Sequence, residues 1–148
     1  TDNPHGRCVW KCDNDVVDHQ TVMVQFADGS LASHTLTTGT AKPCRTIHLV
    51  GTKGEIEGCM EDGTLVTRFA DAQKGHEYTE TPVDLNFSMD MHGGGDMRLV
   101  GDFLRVVRGE APSLSTTQLE DSMYGHMIGF GADVAMEEKR VVEIENIG

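Results

Sequence analysis

The chain has 148 residues, of which 12 are basic and 24 acidic, giving a formal net charge of −12. Because such a surface repels phosphate backbones and anionic lipid, the composition argues against nucleic-acid and membrane partners. Hydrophobic residues make up 38% of the chain and aromatic residues only 5%, which indicates a core built mainly from aliphatic side chains and methionine. No apolar run approaches the ~18 residues that span a bilayer, and no secretory signal opens the chain, so we expect a cytoplasmic protein.

The first part of the chain carries the alternation and turn signals of an antiparallel sheet. Residues 20–38 have the pattern of a hairpin, with apolar and polar residues alternating on both sides of the turn Asp28-Gly29. The connections between the following apolar runs are too short for parallel crossovers, which favours an antiparallel meander. Its further strands are predicted at 45–50, 55–60, 64–69 and 76–85.

Helical periodicity replaces alternation after about residue 92. Three glycines precede Asp96, which we expect to cap a first helix that closes at Gly109. A second helix is predicted from Ser115 to about residue 139, because Ser115 and Gln118 have capping-box spacing.

Small residues recur within this second helix at Gly125 and Gly129. Each glycine costs a helix about 1 kcal/mol relative to alanine, so we expect close packing against a neighbour at these positions. The charged residues nearby exclude a membrane interpretation of this spacing.

The order of these elements predicts the fold class. Strands followed by two helices indicate an α+β fold, in which a largely antiparallel open sheet of about five to seven strands carries helices packed on one face. We predict a single domain over 1–148, with the sheet part at about 8–90 and the helical part at about 96–140. Residues 141–145 are a possible last strand. The uncovered sheet face suggests a partner surface.

Four cysteines, Cys8, Cys12, Cys44 and Cys59, bear on redox state and metal binding. An even number allows two disulfides, whereas the missing signal and a sufficient core favour reduced, structural thiols. Zinc ligands usually come as two close pairs, and only Cys8 and Cys12 form one, so no metal site is predicted. A small metal-binding protein that uses Cys8, Cys12 and His19 stays open as a hypothesis.

Two short segments carry candidate ligand-binding groups. His92 and Asp96 flank glycines at a helix start, where exposed N–H groups favour electronegative ligand atoms; the alternative is a glycine turn capped by Asp96. Lys42 and Arg45 bracket Pro43 in a loop between strands. They have the reach and charge to bind an anionic or hydroxylated ligand, and a solvated loop is the alternative.

Several motifs in a particular order carry a resemblance to a known family. They are residues 8–20 (CVWKCDNDVVDHQ), residues 45–56 (RTIHLVGTKGEI), the segment from His92 to Asp96 with Asp102-Phe103-Leu104 after it, and residues 122–135. Together they resemble the second domain of the Gfo/Idh/MocA oxidoreductases, over about residues 7–145. The stretch from Gly131 to Ala135 departs from the usual ending of that family's last helix.

The resemblance implies a part of an enzyme. Family members carry an N-terminal Rossmann domain that binds NAD or NADP, and they transfer hydride on sugars, inositols and related polyol or keto compounds. This chain would hold no catalytic residue and no cofactor-binding residue, and it would be inactive alone. Its partners would be its own Rossmann domain, absent here, a small polyol or sugar, and further copies in a homodimer or tetramer joined through the open sheet face.

The same resemblance suggests which residues meet the substrate. The chain would supply one wall of the cleft, with Lys42, Arg45, His92 and Asp96 as hydrogen-bonding groups and not as acid–base catalysts. The alternative hypothesis is a stand-alone oligomerisation or ligand-binding module without catalysis.

Overall fold

The computed structural model describes residue 3 and residues 6–85 and 91–145. Six strands and two α-helices form in this part of the chain. The strands are β1 (His19–Gln25), β2 (Leu31–Thr37), β3 (Thr46–Val50), β4 (Glu55–Cys59), β5 (Thr64–Gln73) and β6 (His76–Pro82), and the helices are α1 (Gly95–Val107) and α2 (Leu119–Glu138). Every strand pair is antiparallel. The α+β class with an open antiparallel sheet is therefore confirmed.

The six strands divide into two sheets. Strands β1 and β2 pair only with each other, and the other four form a meander in the order β3-β4-β5-β6. The chain folds into two compact units, residues 1–41 with 120–148, and residues 42–119. The first unit holds the hairpin and nearly all of α2, and the second holds the meander and α1. That residues 1–148 form a single domain stays a prediction.

The hairpin turn forms where the sequence predicts it. Gly29 has φ 87°, a left-handed conformation that glycine adopts without steric cost. The Asp28 carboxylate accepts hydrogen bonds from the Ser30 hydroxyl at 2.7 Å and from the Ser30 N–H at 2.9 Å. The hydroxyl bond first, and then the N–H bond, lower the pKa of Asp28. Local turn chemistry is thus sufficient to set the register of β1 against β2.

The four-stranded sheet has two chemically different faces. Residues opposite each other in an antiparallel pair project to the same face, so the strand register assigns each side chain. One face, which we call the apolar face, carries Ile47, Leu49, Ile56, Leu65 and Phe69. The other, the charged face, carries His48, Glu55, Glu57, Arg68 and Glu80.

The apolar side chains of the described residues remain accessible. No hydrophobic side chain among them is buried, and on the apolar face Ile47, Leu49 and Phe69 are 51%, 54% and 50% exposed. Within each of the two units, the helix makes no extended contact with the described strands of that unit. The aliphatic core expected from composition is therefore not enclosed by the described elements.

The start of α1 differs from the predicted cap. Gly94, with φ 76°, occupies the N-cap position, and Asp96 lies in the first turn of the helix. His92 and Gly93 also have positive φ, 55° and 63°, so the chain reaches helical geometry only at Gly95. The predicted capping role of Asp96 is therefore wrong. The predicted end holds, because Gly109 has φ 73° directly after the last turn.

Helix α2 begins at Leu119, four residues later than predicted. Ser113 accounts for the delay. Its hydroxyl donates to the Asp102 carboxylate and accepts from the Ser115 N–H at 3.2 Å, and its carbonyl accepts from the Thr116 N–H at 3.1 Å. These bonds hold the segment in a turn, so the predicted capping box at Ser115 does not form.

Close approach to α2 occurs at a different glycine from those predicted. A Cβ built on Gly125 or Gly129 meets no described atom within 4 Å, so the expected packing at these positions is not made with the described chain. A Cβ on Gly131 would lie 3.7 Å from Ile144 Cγ1 and 3.8 Å from Val142 Cγ1. Residues 141–145 form no strand, because they run against α2 there instead of along a sheet edge. Neither described helix combines the length and apolar character needed to cross a bilayer.

Candidate functional site

Two of the predicted substrate residues lie where β3 begins, next to the turn between β4 and β5. Lys42 Nζ is 2.5 Å from Asp62 Oδ1. Arg45 donates its backbone N–H to Glu61 Oε2 at 2.5 Å and its Nε–H to Oε1 at 2.7 Å. Both cations are therefore ion-paired with carboxylates of the β4–β5 turn, and Arg45 makes two hydrogen bonds to Glu61.

The charges of this corner stabilise each other. The hydrogen bond from Lys42 lowers the pKa of Asp62, and the same bond raises the pKa of Lys42. The backbone N–H of Arg45 is the largest influence that lowers the pKa of Glu61. Both carboxylates are consequently held in their ionised forms at neutral pH.

Two thiols stand beside these carboxylates. Cys44 Sγ lies 3.4 Å from Cys59 Sγ, and this hydrogen bond raises the pKa of Cys44. One donor atom each from Cys44, Cys59 and Glu61 lies within 4.8 Å of the other two. We call these three residues the thiol–carboxylate cluster. Sequence reasoning missed it, because Cys44 and Cys59 are 15 residues apart and meet only through strand pairing.

The other two predicted residues form a pair at the start of α1. His92 Nδ1 lies 2.9 Å from Asp96 Oδ2, and both side chains are exposed. The left-handed backbone from His92 to Gly94 places the imidazole over the first helical turn. The structure therefore brings His92 and Asp96 into contact with each other, and it places Lys42 and Arg45 on the adjacent carboxylates of Asp62 and Glu61.

A shallow cavity of about 360 Å³ lies beside the turn between β3 and β4. Its walls are the residues of that turn, 51–54, together with Glu55, Ile56, Thr67 and Phe69. Ile56, Thr67 and Phe69 project to one face of the sheet by register. The cavity thus continues the apolar face up to the Gly-Thr-Lys-Gly turn.

An ion-pair network occupies the charged face and holds β4, β5 and β6 together. Arg68 Nη1 lies 2.6 Å from Glu57 Oε2 and Arg68 Nε lies 2.6 Å from Glu80 Oε2, and a third carboxylate, of Glu55, is 3.5 Å away. His48 Nε2 is 3.0 Å from Glu55 Oε2, and this bond is the main cause that lowers the pKa of Glu55. Arg68, which is 24% exposed, is the centre of the network.

Comparisons of the chain with protein-family models, with curated proteins and with solved structures found no match. The structure defines the class of the protein as α+β with an open antiparallel sheet. The resemblance to the Gfo/Idh/MocA oxidoreductases stays a prediction from the motifs quoted above.

Proposed function

We propose that this chain is the substrate and oligomerisation domain of an NAD(P)-dependent dehydrogenase that acts on a sugar, inositol or similar polyol or keto compound. In the natural protein, a Rossmann domain would bind the dinucleotide, and hydride transfer would take place at the boundary between the two domains. The chain would work in the cytoplasm. The motifs that resemble the Gfo/Idh/MocA family motivate this proposal.

The accessible apolar face of the four-stranded sheet is the observation that supports it. Ile47, Leu49 and Phe69 are each about half exposed on one face, whereas the opposite face carries the ion-pair network around Arg68. Burial of apolar area is worth about 25 cal/mol per Å², so covering this face with a second copy would stabilise both subunits. An open sheet that pairs subunits is the arrangement that the family resemblance implies.

The polar pairs supply the substrate half of the proposal. His92 and Asp96 are exposed and hydrogen-bonded to each other at 2.9 Å, so together they offer donors and acceptors to vicinal hydroxyls. Arg45 uses its N–H and Nε–H on Glu61, and its terminal guanidinium nitrogens make no hydrogen bond with another described residue. In this scheme these residues orient the substrate, and the nicotinamide, when bound by the Rossmann domain, carries the hydride chemistry.

Leu49→Lys is expected to dissociate the oligomer. Leu49 is 54% exposed on the apolar face, so the isolated subunit tolerates the change, whereas an interface would have to bury a charge. Losing one buried leucine costs about 1.5–3 kcal/mol, and a twofold interface contains it twice, so the dissociation constant should rise roughly 100-fold or more. Sedimentation equilibrium of the full natural protein measures this constant.

Val50→Lys is the matched control, because Val50 is the next residue of β3 and projects to the charged face opposite Glu55. The oligomer should keep its dissociation constant in this variant. The apolar face would not be the subunit interface if both variants raised the dissociation constant equally. The same conclusion would follow if the natural protein stayed monomeric at all concentrations.

Asp96→Ala in the natural gene product is expected to raise the KM for the polyol substrate about 10- to 100-fold, the range for a hydrogen bond to a charged group. The KM for the dinucleotide should stay unchanged, because the cofactor binds the other domain. Glu137→Ala, which removes an exposed carboxylate of α2, is the control. Steady-state kinetics with nicotinamide absorbance checks both. A gene product that oligomerises but reduces no NAD or NADP with any polyol would favour the stand-alone module.

A further inference from the structure

We propose that the thiol–carboxylate cluster, Cys44, Cys59 and Glu61, is a binding site for a thiophilic divalent cation of the Zn²⁺ type. The inference is independent of the proposed dehydrogenase function, because it depends only on residues at one corner of the four-stranded sheet. Two thiols and a carboxylate are a donor set that zinc accepts.

The distances suit a shared metal ion. Two thiolates bound tetrahedrally at about 2.3 Å each from zinc have their sulfurs about 3.8 Å apart. Cys44 Sγ and Cys59 Sγ are 3.4 Å apart, and a Glu61 oxygen completes a triangle in which no side exceeds 4.8 Å. Small side-chain adjustments therefore bring all three donors to bonding distance of one point. On binding, each thiol would release its proton to solvent.

Strand pairing explains why the three donors converge. Thr46 lies opposite Cys59, and the ladder continues where the Met60 N–H donates to the Arg45 carbonyl at 2.9 Å. Cys59 therefore projects to the charged face, and this bond holds the chain next to Cys44 against the turn that carries Glu61.

The two sulfurs are placed as free thiols and not as a disulfide. Cys44 Sγ and Cys59 Sγ are 3.4 Å apart, well beyond an S–S bond of about 2.05 Å, and both cysteines are free. A metal ion would join them through two bonds of about 2.3 Å.

The surroundings hold the carboxylate ligand and balance the charge. Arg45 fixes both Glu61 oxygens through its N–H and Nε–H, and each oxygen keeps a further lone pair. Such outer partners orient metal ligands. Two thiolates, Glu61 and Asp62 contribute four negative charges, which Lys42, Arg45 and a divalent cation would neutralise. Three protein ligands leave one position on a tetrahedral ion for solvent.

Metal titration of the reduced chain tests the site. The chain is stripped with a chelator, kept reduced with a phosphine, and titrated with Zn²⁺ by calorimetry and with Co²⁺ by absorption. We expect one equivalent of Zn²⁺ to bind and the Co²⁺ form to show thiolate-to-metal charge-transfer absorption. Cys44→Ser and Cys59→Ser should each weaken Zn²⁺ binding more than about 10-fold, since loss of an outer partner alone costs roughly 10–100-fold.

Cys12→Ser is the matched control, because Cys12 lies outside the cluster, where its thiol donates to the Val9 carbonyl. It should leave both the affinity and the Co²⁺ spectrum unchanged. Loss of binding in Cys12→Ser but not in Cys44→Ser would move the metal to the Cys8 and Cys12 region and overturn the proposal. The absence of Zn²⁺ binding by the folded, reduced wild-type chain would overturn it as well, as would a Co²⁺ spectrum without thiolate absorption.

Discussion

Gly54→Ala is expected to destabilise the chain by about 2–3 kcal/mol, in the upper range for overpacking a fixed structure. A Cβ at this position would collide with the Arg68 carbonyl oxygen and would lie 2.9 Å from Phe69 Cδ1. The Phe69 ring can rotate away, whereas the Arg68 carbonyl belongs to the backbone of β5. Relief therefore requires β4 and β5 to separate, which breaks hydrogen bonds of the central strand pair.

Gly51→Ala is the control for this prediction, because Gly51 belongs to the same turn. A Cβ there would lie 3.6 Å from the Gly54 carbonyl oxygen, an ordinary contact, and the backbone conformation is not left-handed. Its effect on the free energy of unfolding should stay within about 0.5 kcal/mol. Urea denaturation of the three proteins at equal concentration gives both values. Equal stability of the two variants would show that β4 and β5 pack less closely at this turn.

Arg68→Met is expected to lower the unfolding midpoint at neutral pH more than the loss of any other described charge on the sheet. Methionine keeps the aliphatic bulk, so the change isolates the guanidinium. Without it, Glu57 on β4 and Glu80 on β6 lose their ion-pair partner, and Glu55 keeps only His48. The carboxylates on either side of β5 then repel each other, and the cation that joins the three strands is missing.

The difference between the unfolding midpoints of the wild type and Arg68→Met should become smaller in acid. In the wild-type chain the pKa of Glu55 is lowered from its ordinary 4.5, chiefly by His48 and in part by Arg68. A carboxylate with a lowered folded pKa contributes stability above its unfolded pKa, and this contribution is lost as pH falls through the folded pKa. The part due to Arg68 is already absent from the variant, so the two midpoints should approach each other as the pH falls below 4.5 and through the lowered pKa of Glu55.

Arg98→Met provides the control for the pH series, because Arg98 lies on α1 and makes no ion pair with a described residue. Its midpoint should follow that of the wild type at every pH. Urea midpoints measured between pH 7 and pH 3 test both variants. If the midpoint of Arg68→Met stays below that of the wild type by the same amount across this range, the guanidinium acts through packing and not through its charge.

Local sequence signals were enough to place nearly every element. The turn Asp28-Gly29, the short connections of the meander and the glycine at position 109 were all predicted and are all present. Such signals work because turn residues set φ directly and because periodicity reflects neighbours only two to four residues apart. At the helix starts the predictions were wrong, because Ser113 and the glycines before α1 override capping residues that look equally good in the sequence. The last strand predicted at 141–145 and the close packing predicted at Gly125 and Gly129 are also not observed among the described residues.

The tertiary structure decided how distant segments meet. Composition and alternation indicated an α+β chain with an open antiparallel sheet, but only strand pairing separates the hairpin from the meander. The candidate ligand residues show the same limit. The sequence suggested Lys42 and Arg45 as ligand-binding groups, and the structure places them beside Asp62 and Glu61 of the β4–β5 turn.

The thiol–carboxylate cluster shows why residues that meet only through strand pairing cannot be predicted from the sequence alone. Metal-site spacing rules look for close pairs of cysteines, and Cys44 and Cys59 are 15 residues apart. A one-residue slip of β3 against β4 would send their side chains to opposite faces. The sequence by itself therefore determined the elements, whose causes are local, and only the register of the folded sheet decided which side chains share a site.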